Sequence, residues 1–483
     1  MVIDALKYQI LQQFGFVPTE EQGQALDAFA RFLTDRDPDA VMILRGSAGT
    51  GKTSLSGAIV RTLKAIRQKV MLLAPTGRAA KVFSLNSGCP AYTIHRRIYR
   101  EKSFAGVDGQ FNLNDNLFTD TLFMVDEASM ISNLGFGGGN FGSGCLLDDL
   151  VRFVYQGHND RLMLIGDKAQ LPPVGEEESP ALNRMMLEGY GLKVYECDLN
   201  EVLRQSQESG ILYNATVIRQ MITHDDITQL PLIRFKGFAD IVMMPGNELV
   251  ESLANSYYRV GQDETMVITR SNKRANIYNN GIRNMVLDRE EELSCGDMLM
   301  IVKNNYFWTE KERNEVMEVK DAIPPFLANG DRAKVLRVSR HMELYGFRFA
   351  TLLLQFPDYD NYEMSVTALL DTLQSEAPAL THEQQEQLFH GVEEDYQDVP
   401  LKADRMKAIR GDQYFNALQV KYAYAITCHK AQGGQWEHVY VDQGYMTDDM
   451  LTPDYIHWLY TAFTRAKDKL FLVNWPKTQT EQA

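Results

Sequence analysis

Cysteine is scarce in this chain: five residues in 483, scattered at Cys89, Cys145, Cys197, Cys295 and Cys428, with no CxxC spacing. That usage excludes a disulfide framework and a cysteine zinc site, and it points to a reducing cytoplasm. Long apolar runs are missing too; none approaches the roughly 18 residues that a membrane helix needs. The first 16 residues are broken by Asp4, Lys7, Gln9, Gln12 and Gln13, which excludes the basic start and unbroken apolar stretch of a signal peptide. There is no surplus of positive charge: the net charge is −15. A global excess of carboxylates repels a polyanion, so nucleic-acid contact would have to rest on local basic clusters. One such cluster is present, with Arg78, Lys81, Arg96, Arg97, Arg100 and Lys102, while acidic residues crowd into 376–398. Internal repeats and long low-complexity tracts are absent.

What is present reads as globular. Apolar residues make up 45% and charged residues 23%, an ordinary soluble balance. The length calls for about two to four domains. Short apolar runs recur at 41–44, 70–73, 122–125, 162–165, 266–268, 439–441 and 470–473, each ending in a polar or glycine-containing turn. Such runs predict strands buried on both faces. Helix-like stretches lie between several of them, as at 54–66, and another at 21–33 precedes the first. This alternation predicts an α/β protein with parallel, doubly wound sheets, and the strands are too many and too far apart for one sheet. Three segments break the pattern. Residues 99–120 are polar, with Gly106, Gly109 and isolated aromatics, and predict a protruding hairpin. Residues 133–144 form a glycine-rich loop. Residues 333–416 predict a small β-rich insertion, with a solvated helix or linker at 376–398.

The chemistry begins at Gly46-Ser47-Ala48-Gly49-Thr50-Gly51-Lys52-Thr53, after the strand at 41–44 and before a helix. This is the GxxxxGK[ST] pattern in the context it requires. Glycines let backbone N–H groups turn inward around an anion, and the helix N-terminus adds its dipole. Lys52 reaches the β- and γ-phosphates and Thr53 ligates magnesium. Asp126-Glu127 follows the strand at 122–125: Asp126 joins the magnesium shell, and Glu127 orients or deprotonates the attacking water. These residues call for ATP and Mg2+.

After the strand at 162–165, Gly166-Asp167-Lys168-Ala169-Gln170-Leu171-Pro172-Pro173-Val174 offers Gln170 as a reporter of the γ-phosphate. Here the chain resembles superfamily 1 helicases, and within them the 5′-to-3′ class that includes RecD-type exodeoxyribonuclease V alpha subunits and the phage Dda helicase. Pro18-Thr19-Glu20-Glu21-Gln22 resembles the adenine-reading motif, with Gln22 the base contact. Ala74-Pro75-Thr76-Gly77-Arg78-Ala79-Ala80 and Thr93-Ile94-His95-Arg96 resemble strand-gripping motifs. Leu203-Arg204-Gln205 resembles the motif of a first arginine finger. Thr269-Arg270-Ser271-Asn272 with Asn279, and Asn329-Gly330-Asp331, resemble features of a second motor domain. The run from Tyr424 through Thr427, His429 and Lys430 to Gly433 resembles the fifth motif, and that from Tyr460 to Ala466 the sixth, with Arg465 the second finger.

The resemblance implies two RecA-like motor domains, 1–98 with 121–195 and 196–332 with 417–483, a hairpin pin at 99–120 and an SH3-like insertion at 333–416. It implies an ATP-dependent helicase moving 5′ to 3′ on single-stranded DNA and opening forked duplex, with repair or recombination partners and no membrane. A protein-stripping translocase and a motor subunit of a recombination nuclease complex are the alternatives. Lys52, Glu127, Gln170, Arg204 and Arg465 carry catalysis. Gln22, Gly46, Ala48, Gly49, Thr50, Gly51, Lys52, Thr53 and Gly433 hold the nucleotide, and Thr53 and Asp126 the metal. Pro75, Thr76, Thr93, His95, Phe104, Phe111, Asn272, Thr427, His429 and Lys430 face the strand. Such contacts need donors to the sugar-phosphate backbone and no base code. Phe104 and Phe111 stack on bases or wedge the duplex.

Overall fold

A strand that is apolar throughout needs cover on both faces, and helices supply it here. The computed structural model describes residues 2–101, 111–135, 142–201, 208–224, 227–315, 323 and 326–481. Phe104, Arg204 and half of the glycine-rich loop, residues 136–141, lie outside them.

The first domain contains β1 (Ala40–Gly46), β2 (Lys69–Ala74), β3 (Ala91–Thr93), β4 (Tyr99–Glu101), β5 (Phe111–Leu113), β6 (Thr121–Val125), β7 (Arg161–Gly166) and β8 (Lys193–Leu199). Six of these form one sheet in the order β3-β2-β6-β7-β1-β8, all pairs parallel. Helices Val2–Phe14, Glu20–Thr34 and Lys52–Ala65 cover one face through Ile10, Leu26, Phe29, Leu55 and Ile59. On the other face, helix Leu146–Tyr155 packs Leu147, Leu150 and Phe153.

β4 and β5 pair antiparallel, with Tyr99 opposite Leu113. The arms end sooner than 99–120 predicts. Beyond Leu113 the chain returns to its own domain, where Asn116 donates to the carbonyls of Phe153 and Val154 and Phe118 packs edge-on against Phe123.

The second domain brings in β9 (Ile241–Met244) and β10 (Thr265–Thr269). Then come β11 (Met298–Ile301), β12 (Arg332–Leu344), β13 (Phe347–Phe356), β14 (Tyr362–Leu369) and β15 (Leu418–Tyr422), which close into a barrel. β16 (Ala425–Thr427), β17 (Trp436–Asp442) and β18 (Ala466–Val473) complete a five-stranded sheet ordered β16-β10-β17-β18-β9. Every pair in it is parallel. The fold is therefore α/β with two parallel sheets and a small closed β-barrel. Its units are wider than the sequence boundaries: β8 extends the first sheet to Leu199, and the barrel draws β11 and β15 from outside 333–416. The acidic stretch contains helix His382–Asp395, started by a Thr381–Gln384 capping box. Among the described residues, no helix is long and apolar enough to cross a membrane.

Candidate nucleotide and nucleic-acid sites

The loop between β1 and helix Lys52–Ala65 has the geometry its glycines permit. Gly49 and Gly51 sit at φ 77° and 78°, where a side chain would be strained. A Cβ on Gly46 would stand 2.9 Å from Thr50 Oγ1 and 3.2 Å from Leu199 Cβ, so the first position is closed to any larger residue. Thr50 Oγ1 donates to the Ser47 carbonyl at 2.8 Å, folding the loop on itself. Lys52 Nζ donates to the Gly46 carbonyl at 2.6 Å, which keeps its ammonium within the loop. Thr53 is exposed at the helix start. Gln22 is buried; its amide donates to the Thr50 carbonyl at 2.9 Å and accepts the Thr19 N–H at 3.0 Å. In this arrangement Gln22 braces the phosphate loop, and both ends of its amide are engaged.

Asp126 and Glu127 stand at the end of β6. The Asp126 N–H donates to the Leu73 carbonyl at 3.0 Å, continuing the sheet bond by bond. Glu127 adopts φ 52°, and its N–H donates to Asp126 Oδ1 at 2.9 Å. Burial, and then the neighbouring Glu127, push the Asp126 carboxyl up to about 7 against the pull of Lys52. Beyond β7, Asp167 and Gln170 are buried, and Gln170 Oε1 has no hydrogen-bond partner among the described residues.

The second domain closes over this site. Helix Pro453–Phe463 starts on a Thr452 cap with proline in its first turn, and it is buried along Tyr455, Ile456, Leu459, Tyr460 and Phe463. The Tyr460 hydroxyl accepts the Ala48 N–H at 3.0 Å and donates to Asp167 Oδ2 at 2.7 Å. Burial and then Asp167 hold the phenol well above its ordinary pKa, so it stays a donor. Thr461 Oγ1 accepts the Leu171 N–H at 2.8 Å, and Gln432 Nε2 donates to the Leu171 carbonyl at 2.7 Å. His457 Nδ1 lies 2.9 Å from the Ala169 carbonyl. Residues 167–171 are thus clasped by the second domain. Arg219, from helix Gly210–Thr223, donates to Ser47 Oγ in the phosphate loop. Arg465 is buried, and its guanidinium donates within the second domain, to the carbonyls of Thr461 and Gly434 and to Thr464 Oγ1 at 3.0–3.1 Å.

Of the strand-facing candidates, Thr76 lies where the two domains meet. Thr76 and Thr93 are caps, accepting the N–H groups of Ala79 and Arg96 at 3.2 and 3.3 Å. Pro75 is half-buried beside Thr76. Gly433 sits at φ 72°, and a Cβ there would be 3.1 Å from both Thr76 Oγ1 and Ala79 Cβ. The motifs bearing Thr76 and Gly433 therefore meet across the domains. Arg78 donates to the Gln435 carbonyl at 2.6 Å and lies 4.5 Å above the Trp436 ring. His95 rests against Tyr99 at 5.6 Å, and burial pushes its imidazole down to about 4, so the ring is neutral at neutral pH. Thr427 makes no capping bond, and His429 is exposed. Lys430 Nζ donates to Asn329 Oδ1 at 2.5 Å; burial and then Lys421 lower it to about 8. Asn272 Nδ2 donates to the Glu376 carbonyl at 3.2 Å, where the chain leaves the barrel. Phe111 lies on β5 of the hairpin.

Sequence motifs did not single out Arg219 or Gln432, and the bridging part of Tyr460 was not readable from its motif. Arg219 is an ordinary helix residue 172 positions from Ser47, and nothing in its neighbourhood signals the contact.

Two family models match the chain: an AAA domain over residues 19–228 and a UvrD-like helicase C-terminal domain over residues 422–473. An ATP-dependent RecD2 DNA helicase of Deinococcus radiodurans is 30% identical over 157 residues, 32% of this chain and 18% of that protein. An uncharacterized protein of Methanocaldococcus jannaschii is 33% identical over 171 residues, 33% of this chain and 14% of that one. An uncharacterized protein of Acanthamoeba polyphaga mimivirus is 22% identical over 490 residues, 89% of this chain and 94% of that one. The matches to the Deinococcus and Methanocaldococcus proteins therefore span less than a fifth of those proteins. Among solved structures, Pif1 helicase from Bacteroides in complex with ADP-AlF3 and ssDNA aligns over 97% of this chain and 95% of its own, at 13% identity and a TM-score of 0.47. Pif1 helicase from Candida albicans aligns over 97% of both chains, at 17% identity and a TM-score of 0.40. The AAA match spans the phosphate loop, and the UvrD-like helicase match spans Thr427 to Arg465, so the chain is similar to these two domains over the segments that hold its motifs.

Proposed function

We propose that this chain is an ATP-hydrolysing motor that moves 5′ to 3′ along single-stranded DNA and unwinds the duplex ahead of it. One observation carries the reading. Tyr460 and Arg219 of the second domain touch the phosphate loop, and on the same interface Gly433 of the second domain approaches Thr76 of the first. Whatever a nucleotide does to that interface is felt at the strand-gripping motifs.

The residues divide the work. Loop N–H groups and the helix N-terminus hold the phosphates, and Lys52 neutralises the β- and γ-oxygens. Burial and then Glu127 raise the Asp126 carboxyl to about 7, so a divalent cation beside it is favoured, and Thr53, next to Lys52, offers a hydroxyl. Magnesium bound by Thr53 and Asp126 supplies neutralisation of phosphate charge. Glu127 orients the water whose oxygen bonds to the γ-phosphorus as the bond to the bridging oxygen breaks. The water's proton passes to the carboxylate, and ADP and phosphate leave. Gln170 reports the γ-phosphate, and Gln22 reaches the adenine once its amide is released. Arg204 and Arg465 stabilise the developing charge, for which Arg465 exchanges its bonds to Gly434 and Thr461. Thr76, Thr93, His95, Asn272, Thr427, His429 and Lys430 grip the strand. The antiparallel pair of β4 and β5 favours unwinding over translocation alone, since a protein-stripping motor needs no obstacle at a junction. The likeness to a RecD2 helicase favours work in DNA repair or recombination, and the scattered cysteines favour the cytoplasm.

ATPase rates with single-stranded DNA, duplex and RNA, followed by unwinding of 5′- and 3′-tailed substrates, test the reading. Single-stranded DNA should stimulate most, and only the 5′ tail should support unwinding. Unwinding from the 3′ tail alone reverses the polarity, and stimulation without unwinding favours the translocase. ATPase activity indifferent to nucleic acid removes the motor reading altogether.

A further inference from the structure

Among the described residues, a cation that no motif assigns reaches the phosphate loop from the second domain: Arg219. Arg219 lies near the end of helix Gly210–Thr223. Ile211, Ala215 and Ile218 of that helix enter the second-domain core, in the same cluster as Ile456 and Tyr460. This anchoring leaves the next residue on the flank that faces the first domain. The Arg219 guanidinium donates to Ser47 Oγ, and both of its terminal nitrogens lie 3.3 Å from the Asn200 carbonyl. Both partners are neutral, Ser47 is buried, and Arg219 is half-buried. Among the described residues Arg219 takes part in no ion pair. A guanidinium partly removed from water and offered only neutral acceptors is incomplete, and an anion completes it.

The position of the contact says which anion. The helix end of the loop, Gly51 to Thr53, faces the inner phosphates, and Lys52 reaches outward from there. Ser47 and Ala48 stand at the strand end, which the second domain covers through Arg219 and Tyr460. We propose that Arg219 contacts the terminal phosphate of bound ATP, exchanging Ser47 for a phosphate oxygen. It is thereby a second-domain sensor of whether that phosphate is present. The inference rests on the reading of residues 46–53 as an ATP site. It adds a phosphate contact to Arg204 and Arg465, and it gives the second domain a reason to move when the phosphate leaves.

The test is nucleotide binding by the full chain without DNA, using fluorescent ADP and a fluorescent non-hydrolysable ATP analogue. Arg219→Ala should weaken the analogue by about 10-fold or more, the scale of a lost charge-assisted bond, and leave ADP affinity unchanged. Arg219→Lys should recover part of the loss. Arg219→Gln keeps a donor for Ser47 without the charge, so it should fold like the parent and still lose affinity for the analogue alone. Equal weakening of both nucleotides, or no change in either, overturns the proposal and marks Arg219 as a loop support. If the unaltered chain binds neither nucleotide, the phosphate-loop reading itself fails. If Lys52→Ala abolishes binding while Arg219→Ala binds as the parent does, the site stands and the sensor falls.

Discussion

Tyr460 donates to Asp167 across the domain interface at 2.7 Å, and the same hydroxyl accepts the Ala48 N–H of the phosphate loop at 3.0 Å. One phenol therefore joins the glycine-rich loop after β1 to the segment after β7. Tyr460→Phe keeps the ring packed and removes only the bridge. Asp167 retains the Ala169 N–H but loses its hydroxyl donor, a cost of about 1–3 kcal/mol for a buried group. The variant should melt at lower temperature, and its ATPase should lose most of the stimulation by single-stranded DNA while basal turnover changes less. Calorimetry and turnover with and without DNA give both readings. Full stimulation in Tyr460→Phe would show that the domains communicate without this bridge.

Lys52→Ala should abolish ATP turnover and leave the fold intact. The ammonium donates to the Gly46 carbonyl and acts on Asp126 through its charge, so its removal costs the empty protein about 1–3 kcal/mol, too little to unfold the domain. With phosphates in place it faces their charge, and there its loss is large. Near-normal hydrolysis by a folded variant would falsify the phosphate-site assignment.

Binding of single-stranded DNA should weaken as pH rises through about 8. Burial and then Lys421 bring Lys430 down to about 8. Below that value the side chain is a cation; above it, the charge is gone, and with it the contact proposed for Lys430 on the strand. A DNA phosphate favours the charged form, so binding near pH 8 should take up a fraction of a proton. Affinity should fall about 5- to 10-fold between pH 7 and 9.5, the scale of one charge-assisted contact. Lys430→Arg should flatten the profile, because a guanidinium stays charged throughout. Fluorescence anisotropy across this pH range measures it, and a profile unchanged by Lys430→Arg assigns the dependence elsewhere.

Replacing Phe104 and Phe111 together with alanine should separate unwinding from hydrolysis. β4 and β5 pair antiparallel, and an aromatic ring at a fork junction can stack on the last base pair, worth about 1–3 kcal/mol per base. DNA-stimulated ATPase should persist while unwinding of forked duplex slows. Parallel loss of both activities would place these rings in the strand track or the first-domain core.

Several features were legible in the chain because their cause is local. The phosphate loop is eight consecutive residues whose glycines, lysine and threonine act at fixed spacing, and the strand before it and the helix after it confirm its setting. The runs at 41–44, 122–125 and 162–165 announce β1, β6 and β7, since a strand covered on both faces has no polar side to interrupt it. The barrel was visible only in its middle. β12 and β13 carry their own pattern, but β11 and β15 are short and look like motor-domain strands until pairing with β12 and β14 closes the ring.

By itself, then, the order of residues determined a phosphate loop and parallel sheets in an α/β chain, because periodic apolar runs and contiguous phosphate chemistry are written along the backbone. Only the tertiary structure decided what meets across the cleft. Gln22 spends its amide on Thr19 and Thr50, Arg465 turns into its own domain, and Arg219 and Tyr460 close on Ser47 and Ala48. Those contacts join residues up to 412 positions apart, and which donor reaches which acceptor depends on how the two sheets dock. No local preference carries that information: a side chain's spacing along a helix sets the face it occupies, and the partner waiting there is supplied by distant chain.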